Sequence, residues 1–178
     1  MMAVRTFQGV TPSLGERVFI DDTSVVLGDV ALGDDCSVWP MAVIRGDVHR
    51  IRIGARTSVQ DGCVLHCTHA SDFNPGGHPL VIGDEVTIGH QATLHGCRIG
   101  NRVLIGMGAV VLDGVVVEEE VIIAAGAMVP PGKVLESGYV YAGNPAKPLR
   151  ELKAAEREFF SYTAGNYVKL KDQHLSGE

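Results

Sequence analysis

Three histidines in the middle of the chain, His66, His90 and His95, hold the most reactive potential of any residues in it. Neutral imidazole is a common ligand for divalent ions. Three imidazoles with an open fourth position form the donor set of a catalytic zinc. Close by in sequence stand Arg45, Asp47, Gln60 and Asp61. An arginine fork and two carboxylates on facing surfaces suit bidentate pairing. Polar groups of this kind also orient ligands and water around a metal.

The elements that must position these side chains follow from a repeat. Counted in sixes, apolar residues fall at Ile20, Val26, Leu32, Val38 and Ile44, then at Ile53, Val59 and Leu65, then at Ile82, Ile88 and Leu94. One five-residue step leads to Ile99, Ile105, Val111, Val117, Ile123, Val129, Leu135 and Tyr141. Four places after each, a small or β-branched residue is usual, as at Cys36, Ala42, Cys63, Val86, Ala92 and Ala109. Glycine often follows the first position, as at Gly33, Gly54, Gly83, Gly89, Gly100 and Gly106. A helix does not repeat at six, and a lone strand repeats at two. A period of six is a short strand plus a corner, wound into a parallel β-helix. The first position points inward and the fifth fills a cramped corner, so Cys36 and Cys63 read as packing atoms. Three hexapeptides make one turn of a triangular prism, with turns stacked at about 4.8 Å.

Composition agrees with an all-β solenoid. The chain has 178 residues, enough for one domain with a real core. It carries 24 Val and 10 Ile against 13 Leu, with 6% aromatics, so the core is aliphatic and leans to strand. The net charge of −6, with no basic stripe, argues against a nucleic-acid partner. No apolar run approaches the roughly 18 residues of a membrane span, so no membrane partner is expected. The start MMAVRTFQGV lacks a signal-peptide core. Four scattered cysteines do not make a secreted disulfide scaffold, and a cytoplasmic location is expected. The six-period ends near Asn144-Pro145. The reading is a single domain over residues 1–178, with a β-helix over 10–147 and a helix over 148–173 packed along it. Leu149, Leu152, Phe159, Phe160, Tyr162 and Tyr167 supply that helix with an apolar face.

Turn counting then places the histidines. With an 11-residue excursion after Leu65, His95 stands one turn above His66 on the same face. With a three-residue insertion between Ile44 and Ile53, Arg45 lies one turn below His66. By the same count Gln60 and Asp61 lie beneath Gly89 and His90, on the adjacent face. His66 and His95 can therefore share an ion, while His90 sits across a corner. A second copy of the chain could supply it, and a prism packed with two copies of itself offers three equivalent interfaces. His69 and His78, in the excursion Cys67–Leu80, could rim such a site.

The runs RGDVHRIRIGARTSVQDGCVLHCTH and VIGDEVTIGHQATLHGCRIG resemble the γ-class carbonic anhydrase family. The resemblance extends from about residue 10 to the C-terminal helix. It implies a left-handed coil and a homotrimer. It assigns His66 and His95 as metal ligands from one subunit and His90 as the ligand from the neighbour. It also implies that Gln60 hydrogen-bonds the metal-bound water, and that Arg45, Asp47 and Asp61 form a polar network between subunits. The implied function is that of a carbonate dehydratase-like lyase, the reversible hydration of CO₂ to bicarbonate by a metal-bound hydroxide. Zn²⁺ is the first choice of metal, with Fe²⁺ and Co²⁺ as alternatives. Tyr162 and Asn166 on the helix, and His69, are secondary candidates. Val48 follows Asp47 where the archetype has a glutamate, and the excursion Cys67–Leu80 has no glutamate for a proton relay. A slow or metal-selective activity is expected for that reason. The same constellation admits an acyl-CoA thioesterase, Arg50, Arg52 and Arg56 being candidates to meet CoA. It also admits a hexapeptide acyltransferase with one catalytic histidine, or a non-catalytic scaffold.

Overall fold

The computed structural model describes residues 3–177. Each hexapeptide forms a strand of two or three residues and then turns a corner, and the chain winds as a left-handed parallel β-helix. Three ladders run along the prism. The first pairs Val26, Ile44, Leu65, Leu94, Val111 and Val129 in register. The second pairs Leu32, Ile53, Ile82, Ile99, Val117 and Leu135. The third pairs Ile20, Val38, Val59, Ile88, Ile105, Ile123 and Tyr141. Almost all of these side chains are buried in one continuous core, because the first position of every hexapeptide points inward. Two longer strands, Val25–Leu32 and Val43–Ile53, bend round a corner and join the first two faces into a 12-stranded sheet.

The corner cysteines Cys36 and Cys63 are buried, and their thiols donate to the carbonyls of Gly54 and Gly89. The glycines of the second phase have a steric reason. A Cβ at Gly106 would lie 2.3 Å from the backbone nitrogen of Ala125 in the next turn. Only a bare α-carbon lets successive turns approach there.

Two irregularities interrupt the coil, and both flank the histidines. Gly28 pairs with Gly46 and Val30 with Ile51, so residues 47–50 bulge opposite the single residue Asp29. After His66 the chain leaves the prism as a hairpin. Bridges Thr68–His78 and Ser71–Asn74 close it, Phe73 is fully exposed near its tip, and the coil resumes at Leu80.

The end of the chain differs from the sequence expectation. Residues Lys147–Glu151 form a strand antiparallel to Tyr139–Ala142, and the helix is Ala154–Ser176 rather than 148–173. The helix begins where its first turn finds a cap: the carboxylate of Glu156 accepts the Lys153 backbone N–H at 2.9 Å and is held by the Arg150 fork. Its inward face is Phe160, Thr163, Ala164 and Lys171, the spacing of a helical stripe. Phe159 and Tyr162 are exposed because they fall off that stripe, and Leu149 is exposed on the strand that precedes the helix.

The helix lies over the third face and is pinned by charge. Lys171 has a fully buried side chain, and its ammonium meets Asp35 at 3.0 Å as well as Asp172. The Arg17 fork holds Asp35 from the other side and, with Lys171, brings its carboxyl down to about 2. A carboxyl depressed in the folded state stabilises above its unfolded pKa, about 3.9, and loses that contribution as pH falls through the folded value. Thermal unfolding between pH 4 and 2 should therefore show a fall in stability that Asp35→Asn makes shallower, the remainder coming from other depressed carboxylates such as Glu156. At neutral pH the substitution should cost about 2 kcal/mol, the scale of a hydrogen bond to a charged group. Most of that comes from Lys171, since Arg17 is half exposed and screened by solvent.

Candidate metal centre

His66 and His95 face each other across one turn of the first ladder, paired in register. His66 Nδ1 lies 3.0 Å from His95 Nε2. The other nitrogen of each ring is on a carboxylate: His66 Nε2 meets Asp47 at 3.0 Å, and His95 Nδ1 meets Asp113 at 2.6 Å. If both rings are neutral and donate to those carboxylates, the two facing nitrogens present lone pairs to each other. Such a pair repels unless a cation lies between or beside the two atoms. The donor set thus fits a divalent ion by its own chemistry.

The environment disfavours a proton as that cation on His66. Burial lowers its pKa, outweighing the hydrogen bond to Asp47. The carboxylates, by contrast, stay ionised. Burial would raise Asp47, but hydrogen bonds from Arg45 and His66 bring it below its ordinary value. Asp113 is lowered against its own burial by Thr68 and His95. Arg45 lies beside His66 on the same face and pairs with Asp47 at 2.5 Å. The bulge at 47–50 is what turns Asp47 back towards His66.

His90 belongs to a second group. It follows the third-face strand Thr87–Ile88, is half exposed, and pairs with Asp61 at 2.9 Å. Gln60 is buried beside it, and its amide donates to the Tyr167 hydroxyl at 2.6 Å. A groove of about 450 Å³ opens from here between the helix and the third face, lined by His90, Gln60, Met107, Phe159, Thr163 and Tyr167. One chain therefore carries two polar groups on adjacent faces: His66, His95, Arg45 and Asp47 on one, and His90, Gln60 and Asp61 on the other. Among the described residues of one chain, no group of three His, Cys, Asp or Glu side chains converges as a metal site. Tyr162, Asn166 and His69 are exposed and join neither group.

Two participants escaped the sequence reading. Asp113 lies one turn above Gly96, the neighbour of His95, because the five-residue step after Leu94 shortens this turn to an offset of 17 residues (Leu94 pairs with Val111), and that register is the signal that could have found it. Tyr167 stood out only as an apolar helix residue. Its contact with Gln60 spans 107 residues and has no local signal. Cys67 is buried, donates to the His49 carbonyl at 3.1 Å and has its thiol pushed up by burial. Cys97 is pushed up to about 12. Both are therefore neutral packing groups at neutral pH.

Comparison with known proteins bears on the family and the fold. The family pattern of bacterial transferase hexapeptides, six repeats, matches residues 11–46 and 96–131. Protein YrdA of Escherichia coli is 56% identical over 172 residues, 97% of this chain and 94% of that one. A carbonic anhydrase of Geobacillus kaustophilus is 46% identical over 146 residues, 82% of this chain and 76% of its own. A hexapeptide transferase family protein from Anaplasma phagocytophilum has a crystal structure that superposes with a TM-score of 0.88. It is 38% identical and covers 96% of each chain. No helix among the described residues is long and apolar enough to cross a membrane. The chain belongs to the γ-carbonic anhydrase-like family of hexapeptide-repeat proteins.

Proposed function

We propose that the protein is a metal-dependent carbonic anhydrase-like lyase, acting on CO₂ and bicarbonate at sites shared between the subunits of a homotrimer. The observation that carries this is the pair of facing ring nitrogens of His66 and His95, 3.0 Å apart, with each ring's other nitrogen on a carboxylate. One chain offers two ligands there, and His90 of a neighbouring copy completes three. A divalent ion, Zn²⁺ in the first instance, with Fe²⁺ and Co²⁺ also suited to imidazole, supplies Lewis acidity that brings the pKa of water from 15.7 towards 7.

The chain's own residues do the rest. Asp47 and Asp113 fix the tautomers and aim the ligand nitrogens. Arg45 keeps Asp47 ionised, and Asp61 steadies His90. Gln60 gives its amide N–H to Tyr167, which leaves its carbonyl oxygen free to accept a hydrogen bond from water or from the hydroxyl of bicarbonate. Hydration releases a proton, and His69, exposed on the hairpin that leaves beside His66, is the proposed acceptor. Tyr162 and Asn166, exposed on the helix, are proposed to approach the site of a neighbouring copy.

The test is CO₂ hydration by stopped flow on protein purified without oxygen and loaded separately with Zn²⁺, Fe²⁺ and Co²⁺. Hydration that appears with at least one metal and disappears on chelation is expected. An intact trimer with a bound ion and no hydration would overturn the reading.

A specific observation favours a second reading, hydrolysis of an acyl ester or thioester on the same metal. The 450 Å³ groove beside His90 is far larger than CO₂ needs, and Thr87, in its wall, has a buried hydroxyl with no hydrogen-bond partner. Two of the three arginines proposed to meet CoA are engaged elsewhere: Arg52 pairs with Asp29 at 2.7 Å and Arg56 with Glu85 at 3.4 Å. An uncharged p-nitrophenyl ester, rather than a CoA thioester, is therefore the discriminating substrate. Metal-dependent turnover of that ester without CO₂ hydration would favour the second reading.

A further inference from the structure

We propose that Asp113, steadied by Thr68 and reached through a gap that only glycine at position 96 leaves open, is the positioning residue that presents His95 Nε2 to the metal. The inference rests on the reading of His95 as a ligand. Three separate features support it. His95 Nδ1 meets Asp113 Oδ1 at 2.6 Å. The second carboxylate oxygen, Oδ2, accepts the Thr68 hydroxyl at 2.7 Å, so the carboxylate cannot swing away. At Gly96 an added Cβ would stand 2.3 Å from Asp113 Oδ1 and 2.7 Å from His78 Cβ.

The fold explains why the three meet. Leu94 pairs with Val111, so Asp113 lies one turn above Gly96 and its side chain passes over the bare α-carbon to reach His95. The backbone bond from Gly114 N–H to the Gly96 carbonyl, 2.8 Å, fixes that alignment. Thr68 sits at the base of the hairpin, bridged to His78. The excursion therefore braces the ligand as well as rimming the site. Gly96 also has φ of +53°, a left-handed conformation that favours glycine.

Without the carboxylate, His95 is free to place its proton on either nitrogen and to turn its ring. With it, the proton is held on Nδ1 and the Nε2 lone pair is offered outward. Loss of such an outer partner typically costs about 10–100-fold in metal affinity.

The experiment measures Zn²⁺ affinity by competition with a chromophoric chelator, and the His95 tautomer by ¹⁵N NMR on the metal-free protein. Asp113→Ala should bind about 10–100-fold more weakly and show both His95 tautomers, where the parent shows Nδ1–H alone. Asp113→Asn keeps an oxygen for the Nδ1 proton and should fall between. Thr68→Val should weaken binding about fivefold, the scale of one hydrogen bond. Gly96→Ala should resemble Asp113→Ala, and thermal melts of all four show whether each is folded. An Asp113→Ala variant with parental affinity and a single Nδ1–H tautomer would overturn the inference alone. A parent protein that takes up no ion, or His95→Ala binding as tightly as the parent, would overturn the ligand reading and this inference together.

Discussion

Alanine in place of His90 should give a folded protein that holds no stoichiometric divalent ion and hydrates CO₂ no faster than the metal-stripped parent. The fold has little stake in this side chain. His90 is half exposed, and its pair with Asp61 is equally exposed, so its loss should change stability by no more than about 1 kcal/mol. The site has a large stake in it, because two imidazoles alone do not complete the ligand set of a catalytic ion. Removal of a direct ligand should exceed the roughly 10–100-fold loss of affinity that an outer partner causes. Metal content by elemental analysis, hydration by stopped flow and a thermal melt separate the two effects. Retained metal with full activity would show that His90 is not a ligand.

The largest effect on stability should come from the column beneath the histidines. Leu94 is completely buried, in register between Leu65 and Val111, and directly precedes His95. Leu94→Ala should destabilise by about 2–5 kcal/mol, the range for emptying a buried leucine site. The coil interior is filled by three ladders of inward side chains enclosed by the backbone of the three faces, so little can collapse into the space. Urea unfolding followed by circular dichroism should show a lower midpoint. In a solenoid each turn leans chiefly on its neighbours, so hydrogen exchange should rise most in the strands paired with Leu94. An unchanged midpoint would mean that the column is not what holds the turns together.

The ladder of inward residues was legible because a period of six has one geometric solution, and the pairing of His66 with His95 follows from it once the two interruptions are sized. The insertion after Gly46 and the excursion after His66 betrayed themselves as breaks in the count. The strand Lys147–Glu151 was not legible: Pro148 and the apolar Leu149 suit several backbones, and the strand exists only because Tyr139–Ala142 offers an edge. The helix face was misread because Lys171, a cation, sits at its most buried position, paid for by Asp35 on a distant turn. In the site, the histidines announced themselves by type. Asp113 was hidden because one aspartate among many means nothing until the shortened turn, which sets it over Gly96 beside His95, is applied to it. The contact of Gln60 with Tyr167 depends on where the helix docks, and helix docking has no repeat to read.

The central claim is that one metal site is built by two chains, and subunit mixing tests it most directly. His90→Ala retains the His66–His95 pair, and a His66→Ala, His95→Ala double variant retains His90. Each alone should be empty of metal and inactive. Dissociated and reassembled together, they should form mixed trimers in which some interfaces combine the intact pair of one chain with His90 of the other. Metal uptake and CO₂ hydration should return in proportion to those interfaces, counted by native mass spectrometry. Mixed trimers that form but regain neither metal nor activity, or a single variant that keeps both unaided, would contradict a site shared between chains.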